Sequence, residues 1–202
     1  MIYTALAHIR DLVNQHFMNE FSAREKAVLS NIVNADGSIP GELQDKIVFF
    51  LVSLEEEATL KNNLNRSSNS KADTFAKKPP AIHFRLQLLF CANFMGDNYD
   101  EGLAYLSSLI RFFQINRVVQ VPNRSGKDPN NTLSSKQQAT STAAQRLSFE
   151  LCKLDYSELS HLWSAIGAKL MPSVLYKVGM VAFDDLPVSG IIPPIKETKG
   201  IT

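Results

Sequence analysis

Two apolar runs constrain this chain more than anything else in it: "KIVFFLVSLEEE" at 46–57 and "IHFRLQLLFCANF" at 82–94. The longest apolar run, "IVFFLVSL" at 47–54, is far short of the roughly 20 residues a membrane-crossing helix needs. Both runs are rich in β-branched and aromatic residues, which predicts strands. In the second, Ile82, Phe84, Leu86, Leu88, Phe90 and Ala92 alternate with His83, Arg85, Gln87 and Asn93, the pattern of a half-buried strand. Paired as an antiparallel hairpin centred near residue 70, the runs set Glu55 opposite Arg85, Glu57 opposite His83, Leu51 opposite Leu89 and Phe49 opposite Cys91. Phe50 then meets Phe90 and Val52 meets Leu88 on the other face, which a one-residue slip would scramble. This register leaves Phe49, Leu51 and Leu89 as an apolar patch on a face otherwise carrying Glu, Arg and His. The first helix or another subunit must cover it, so these three are candidate subunit-interface residues.

Other elements gather around the hairpin. Ile2, Leu6, Ile9, Leu12, Val13 and Phe17 recur at helical spacing, predicting an amphipathic helix from 2 to about 18, with His16 packed at the edge of its stripe. "AVLSNIV" at 27–33 reads as a strand followed by an Asp36-Gly37 turn. Asn98 and Glu101 suggest a capping box for a second helix with Leu103, Leu106, Leu109, Ile110 and Phe113 on its apolar face. "RVVQV" is an edge strand closed by Pro122. A strand at 146–154 leads to a third helix, opened by Asp155 with Glu158 and stopped by Gly167, and a final strand spans 173–183. The expected fold is α/β in the α+β sense: one domain over 1–183, with a mixed, mostly antiparallel sheet of four to five strands and about three helices mainly on one face.

Three segments fall outside that pattern. Residues 61–80 and 122–145 are polar and predict long loops. Residues 184–202 place Ile191, Ile192 and Ile195 among prolines, predicting an extended arm that orders on a neighbouring subunit or another protein, by strand addition or groove docking. These isoleucines are the second set of candidate interface residues.

Nothing in the chain assembles recognisable chemistry. The 21 Lys and Arg against 20 Asp and Glu create no field for nucleic acid or an anionic membrane. Cys91 and Cys152 lie far apart without a CxxC and read as small hydrophobes. "RSGKD" lacks the glycine and hydroxyl residue of a phosphate-cradling loop. Glu158 and His161 form a single i, i+3 pair, where a di-iron bundle needs two. The expectation is a non-enzymatic chain without cofactor or metal, made in the cytoplasm, whose partners are proteins.

Four segments also carry a resemblance: "KIVFFLVSLEEEATLKN", "FRLQLLFCANF", "YDEGLAYLSSLIRFFQ" and "LSFELCKLDYSELSHLWSAIGAKLMPSVLYKVGMV". Together, over about residues 1 to 183, they resemble the tail-terminator or cap proteins of contractile injection systems of the antifeeding-prophage type. The motif positions are Phe112, Phe113 and Gln114, then Leu162, Trp163, Gly167, Pro172, Ser173 and Tyr176. The resemblance implies a structural role: a homo-oligomeric ring, a hexamer, on the last tube and sheath rings of an assembled particle. Many family members continue into a further domain whereas this chain stops at Thr202, so the terminator itself and a cap-adaptor paralogue beneath a second cap protein both stay open. The residues alone also allow a small-molecule or peptide-binding module with Trp163 lining its pocket. On the ring reading, substituting His161 or Cys152 is expected to leave assembly at wild-type level, measured as ring yield on a sizing column; on an enzymatic reading either would matter.

Overall fold

The computed structural model describes residues 2–57, 66–69, 74–77, 82–121, 145–182 and 190–192. The N-terminal stripe builds helix α1 (Ile2–Phe21), burying Ala5, Leu6, Ile9, Val13 and Phe17. Strand β1 (Ala27–Leu29) lies parallel to β2 (Lys46–Glu56), with Ala27 opposite Ile47. The strand expected over 27–33 is thus only three residues long. Gly37, at φ 79°, does make a turn, its N–H donating to Asn34 O at 3.0 Å. That turn belongs to a crossover rather than a hairpin, and on the way Ile32 and Leu43 join a second core.

The remaining elements are β3 (Arg66–Asn69), β4 (Thr74–Lys77), β5 (Ile82–Asn93), α2 (Tyr99–Ile115), β6 (Val118–Val121), β7 (Gln145–Leu151), α3 (Tyr156–Ile166), β8 (Ser173–Ala182) and β9 (Gly190–Ile192). The main sheet has the order β1-β2-β5-β8-β7-β6 and is antiparallel except at β1–β2. It has six strands where four to five were expected. A smaller sheet, β3-β4-β9, repeats the order of the three central strands, because β2 continues to β3, β4 leads into β5 and β8 continues to β9. The polar stretch 61–80 therefore contains a hairpin: its ladder is held by backbone pairing, which asks for no apolar side chains.

The central hairpin keeps the expected register only in its outer half, where Glu55 faces Arg85. An irregularity between Leu51 and Ser53 shifts the inner half by one residue, so Phe49 faces Phe90 and Phe50 faces Leu89. Phe49 stacks on Phe90 with ring centroids 4.9 Å apart and planes 16° from parallel. Phe49 and Leu89 consequently point to opposite faces, both fully buried. Phe49 and the partly buried Leu51 belong to the core beneath α1 and α2, whereas Leu89 belongs to the core beneath α3. The expected patch of Phe49, Leu51 and Leu89 is not a surface of the folded chain.

Two of the three helices share a face, and α3 takes the other, bringing Trp163 against Val48, Leu89, Cys91 and Leu175. Helices on both faces are why the two central runs read as nearly continuous apolar sequence. On α2 the buried residues include Tyr105, Leu106, Leu109 and Phe113, while Leu103 is exposed. The Asn98 side chain caps nothing; Glu101 instead pairs with Lys26 Nζ at 3.2 Å, which also lies over the rings of Phe94 and Tyr105. Gly102 is required by close approach: a Cβ there would sit 2.8 Å from Phe94. Residues 122–144 and Ile195 lie outside the described residues.

Phe113 contacts Phe149, Tyr176 and Phe90 at centroid distances of 4.3, 5.0 and 5.4 Å. Phe113→Ala is expected to cost about 3–5 kcal/mol, and Gly102→Ala about 1–3 kcal/mol by overpacking against Phe94. Both would appear as lowered urea midpoints with unchanged slope.

Candidate functional site

The two ends of the main sheet are finished differently. At β1 the Ile47 N–H donates to Lys26 O at 2.8 Å, which turns the N–H and carbonyl of Ala27 outward. Asn14 of α1 takes both: its Nδ2 donates to Ala27 O at 2.8 Å and its Oδ1 accepts from Ala27 N at 2.9 Å. Asn14 thus caps that edge at Ala27 from within the chain. At the other end, β6 pairs with β7 from Val118 opposite Ser148 to Val121 opposite Gln145, and among the described residues no strand pairs with its outer side. Val118 there is 57% exposed, flanked by Ile115 at 74% and Leu151 at 54%.

Beside this edge lies a cleft of about 380 Å³ between the end of α2 and strands β7 and β8, lined by Ile110, Phe113, Gln114, Arg117, Phe149, Glu150, Leu151 and Tyr176. Phe113, Gln114 and Tyr176, three positions singled out from the sequence, come together here from separate elements. Burial pushes the Tyr176 phenol up to about 12, so it is neutral and can only donate or accept a hydrogen bond. With one cation, one anion and otherwise amide, phenol and apolar surface, the cleft suits protein contact better than proton transfer.

The other motif residues hold the frame. Phe112 packs its ring on His16 at 4.9 Å. Leu162 and Trp163 anchor α3 in the second core, with the indole N–H buried and without an acceptor. Gly167 ends α3 at φ 76°, and Pro172 O accepts from Ala92 N at 2.9 Å. Trp163 also lines a shallow groove of about 300 Å³ with Tyr156, Leu159 and Leu170. Glu158 is committed to the capping box with Asp155, and His161 is exposed. Among the described residues no group of three or more His, Cys, Asp or Glu could hold a metal ion, and no helix is long and apolar enough to cross a membrane. Burial raises both the Cys91 and the Cys152 thiol above the ordinary value, which disfavours their thiolate forms.

A polar cluster joins α1 to α2. Ser108 Oγ donates to Glu20, so its lone pairs accept from His16 Nε2 at 2.7 Å, which fixes the ring proton on Nε2. Arg111 donates to the other Glu20 oxygen. The Ser108 hydrogen bond, with Arg111 and His16 behind it, holds the Glu20 carboxyl below the usual range. All four residues are spent on one another. Sequence reading found His16 as an edge residue but gave no signal for its partners, nor for Asn14, because polar pairing across elements has no period.

Taken together, the fold and surface define an α+β protein that, among the described residues, presents an unpaired strand edge beside an apolar-walled cleft. The chain belongs to the Pvc16 N-terminal domain family, whose model matches residues 4–197. Its structure is similar to the PVC sheath/tube terminator of an extracellular contractile injection system in the extended state: TM-score 0.51, 13% identity, covering 94% of this chain and 64% of that one. It is equally similar to the anti-feeding prophage cap, a tube-terminating cap: TM-score 0.52, 15% identity, covering 96% of this chain and 60% of that one. The chain thus spans a little under two thirds of each. No curated protein matches it.

Glu20→Gln tests the cluster by pH. A carboxylate with a lowered folded-state pKa stabilises fully above its unfolded value, near 4.3, and the gain disappears as pH falls through the folded value. The stability difference between wild type and Glu20→Gln in urea titrations should therefore be largest near neutrality and shrink as the solution is acidified below the unfolded value and through the lowered folded one.

Proposed function

We propose that this chain is a cap or terminator subunit of a contractile injection system, assembling into a ring of identical copies that closes the end of the inner tube and sheath. The observation that carries this reading is the fold likeness over 94% and 96% of the chain to two proteins described as terminating a tube. Its role is structural and non-enzymatic. Its partners are further copies of itself, numbering six by the family resemblance, and the tube and sheath proteins, within an assembled particle. The domain of residues 1–183 supplies the ring body, and residues 184–202, with Ile191, Ile192 and Ile195, supply an arm for contact between copies.

The open edge of the sheet supports the same reading. A strand whose outer side has no partner strand among the described residues, with exposed apolar neighbours and an adjoining cleft, is an aggregation liability in a solitary monomer and a useful surface in a ring. Val118 and Leu151 are the residues to change, because both are exposed and neither belongs to a core cluster.

Electron microscopy of particles from cells lacking the chain is expected to show overlong, ragged or absent tails, and normally capped particles would sink the reading. Val118→Asp combined with Leu151→Asp should change unfolding stability by no more than about 0.5 kcal/mol, as surface substitutions do. The same double variant should cap at least tenfold fewer particles when supplied in place of wild type.

A further inference from the structure

We propose that β9 is an exchangeable strand: in the assembled ring, β9 of each copy pairs with β4 of its neighbour, in the register it takes with its own β4 here. The inference rests on the ring reading and deepens it by naming the contact between copies.

The acceptor site is visible because it is filled. Phe75 stands opposite Ile192, Ala76 opposite Ile191 and Lys77 opposite Gly190, so β9 occupies one edge of β4 while β3 occupies the other. A second copy of the chain carries the same strand and offers the same hydrogen bonds, so exchange makes what it breaks. Domain swapping of an identical element is then nearly free in contact energy, and closed symmetry decides between the arrangements.

Chain length points the same way. Ala182 sits opposite Ile82 and Gly190 opposite Lys77, so two connections run between the same pair of rungs. The β4–β5 connection does this with four residues, 78–81, whereas the β8–β9 connection has seven, 183–189. Four residues bridge the gap, in five Cα steps of at most about 3.6 Å, so it is no wider than about 18 Å, while eight steps reach roughly 29 Å. The surplus of about 11 Å on that limit is unneeded in cis and is reach available for a crossing to an adjacent copy. β9 is also only three residues long, Gly190–Ile192, and Pro193 and Pro194 follow it directly. A strand stopped at that point leaves its ladder without a long unzipping.

Cysteine pairing distinguishes the two arrangements. Ala76 and Ile191 are direct partners, and facing residues in an antiparallel ladder have Cα atoms about 4.5–5.5 Å apart, within disulfide range. Two full-length single variants, Ala76→Cys and Ile191→Cys, each also carrying Cys152→Ser, would be co-expressed with the tube and sheath proteins and oxidised in assembled particles. Non-reducing electrophoresis should show covalent dimers in the mixture and none with either variant alone. Rings that form normally yet give no mixed dimers, while a double Ala76→Cys/Ile191→Cys chain closes only within itself, overturn the exchange and leave the cap reading standing. If the unmodified chain forms no ring at all, the cap reading fails and the exchange fails with it. Deleting Asp185, Leu186 and Pro187 gives an independent check: the monomer should melt at the wild-type temperature while ring yield falls at least tenfold, and undiminished rings would overturn the proposal.

Discussion

The stacked pair Phe49 and Phe90 sits where the rest of this structure is decided. Placing the two rings directly opposite fixes the inner register of β2 and β5, and with it which side chains go to which face. From that pair a run of aromatic contacts spreads through Phe113, Tyr176 and Phe149, tying α2 to strands that arrive much later in the chain. The irregularity at Val52 is what makes this possible. With it, apolar residues crowd both faces of the inner hairpin while Glu55 still meets Arg85 outside. One face then calls for α1 and α2 and the other for α3 and the β1–β2 crossover, so two cores grow from one hairpin.

Elements whose signal is local were legible in the sequence. The α1 stripe, the Asp155–Glu158 capping box, the Gly167 stop, the edge strand after α2 and the outer hairpin register all stand where periodicity and cap chemistry put them. What escaped depends on the partner rather than the segment. An extra residue in one strand is invisible until both strands are laid side by side, so Phe49 and Leu89 were expected together and lie on opposite faces. Glu101 has the spacing of a cap residue, but Lys26, 75 positions away, outbids its own helix end. The polar hairpin of β3 and β4 carries no hydrophobic pattern at all, because its order comes from backbone pairing. Of the candidate site, Phe113, Gln114 and Tyr176 were visible as motif residues, whereas the exposed trio of Ile115, Val118 and Leu151 becomes meaningful only once β6 is known to end the sheet.

The chain treats its polar groups according to where they sit. Asn14 answers both outward backbone groups of Ala27, and Glu20 collects Ser108, His16 and Arg111, so these polar groups on the α1 side are satisfied within the chain. Among the described residues the outer side of β6 receives no such treatment. An asymmetry of this kind, one edge capped by a side chain at Ala27 and the other without a partner among the described residues, favours extension of the sheet at β6 over extension at β1.

The repetition of strand order between the two sheets also has a mechanical meaning. β9 holds β4 through three facing pairs, from Phe75 with Ile192 to Lys77 with Gly190, whereas β8 holds β5 through ten, so under a load that reaches both ladders the small sheet is the first to give way.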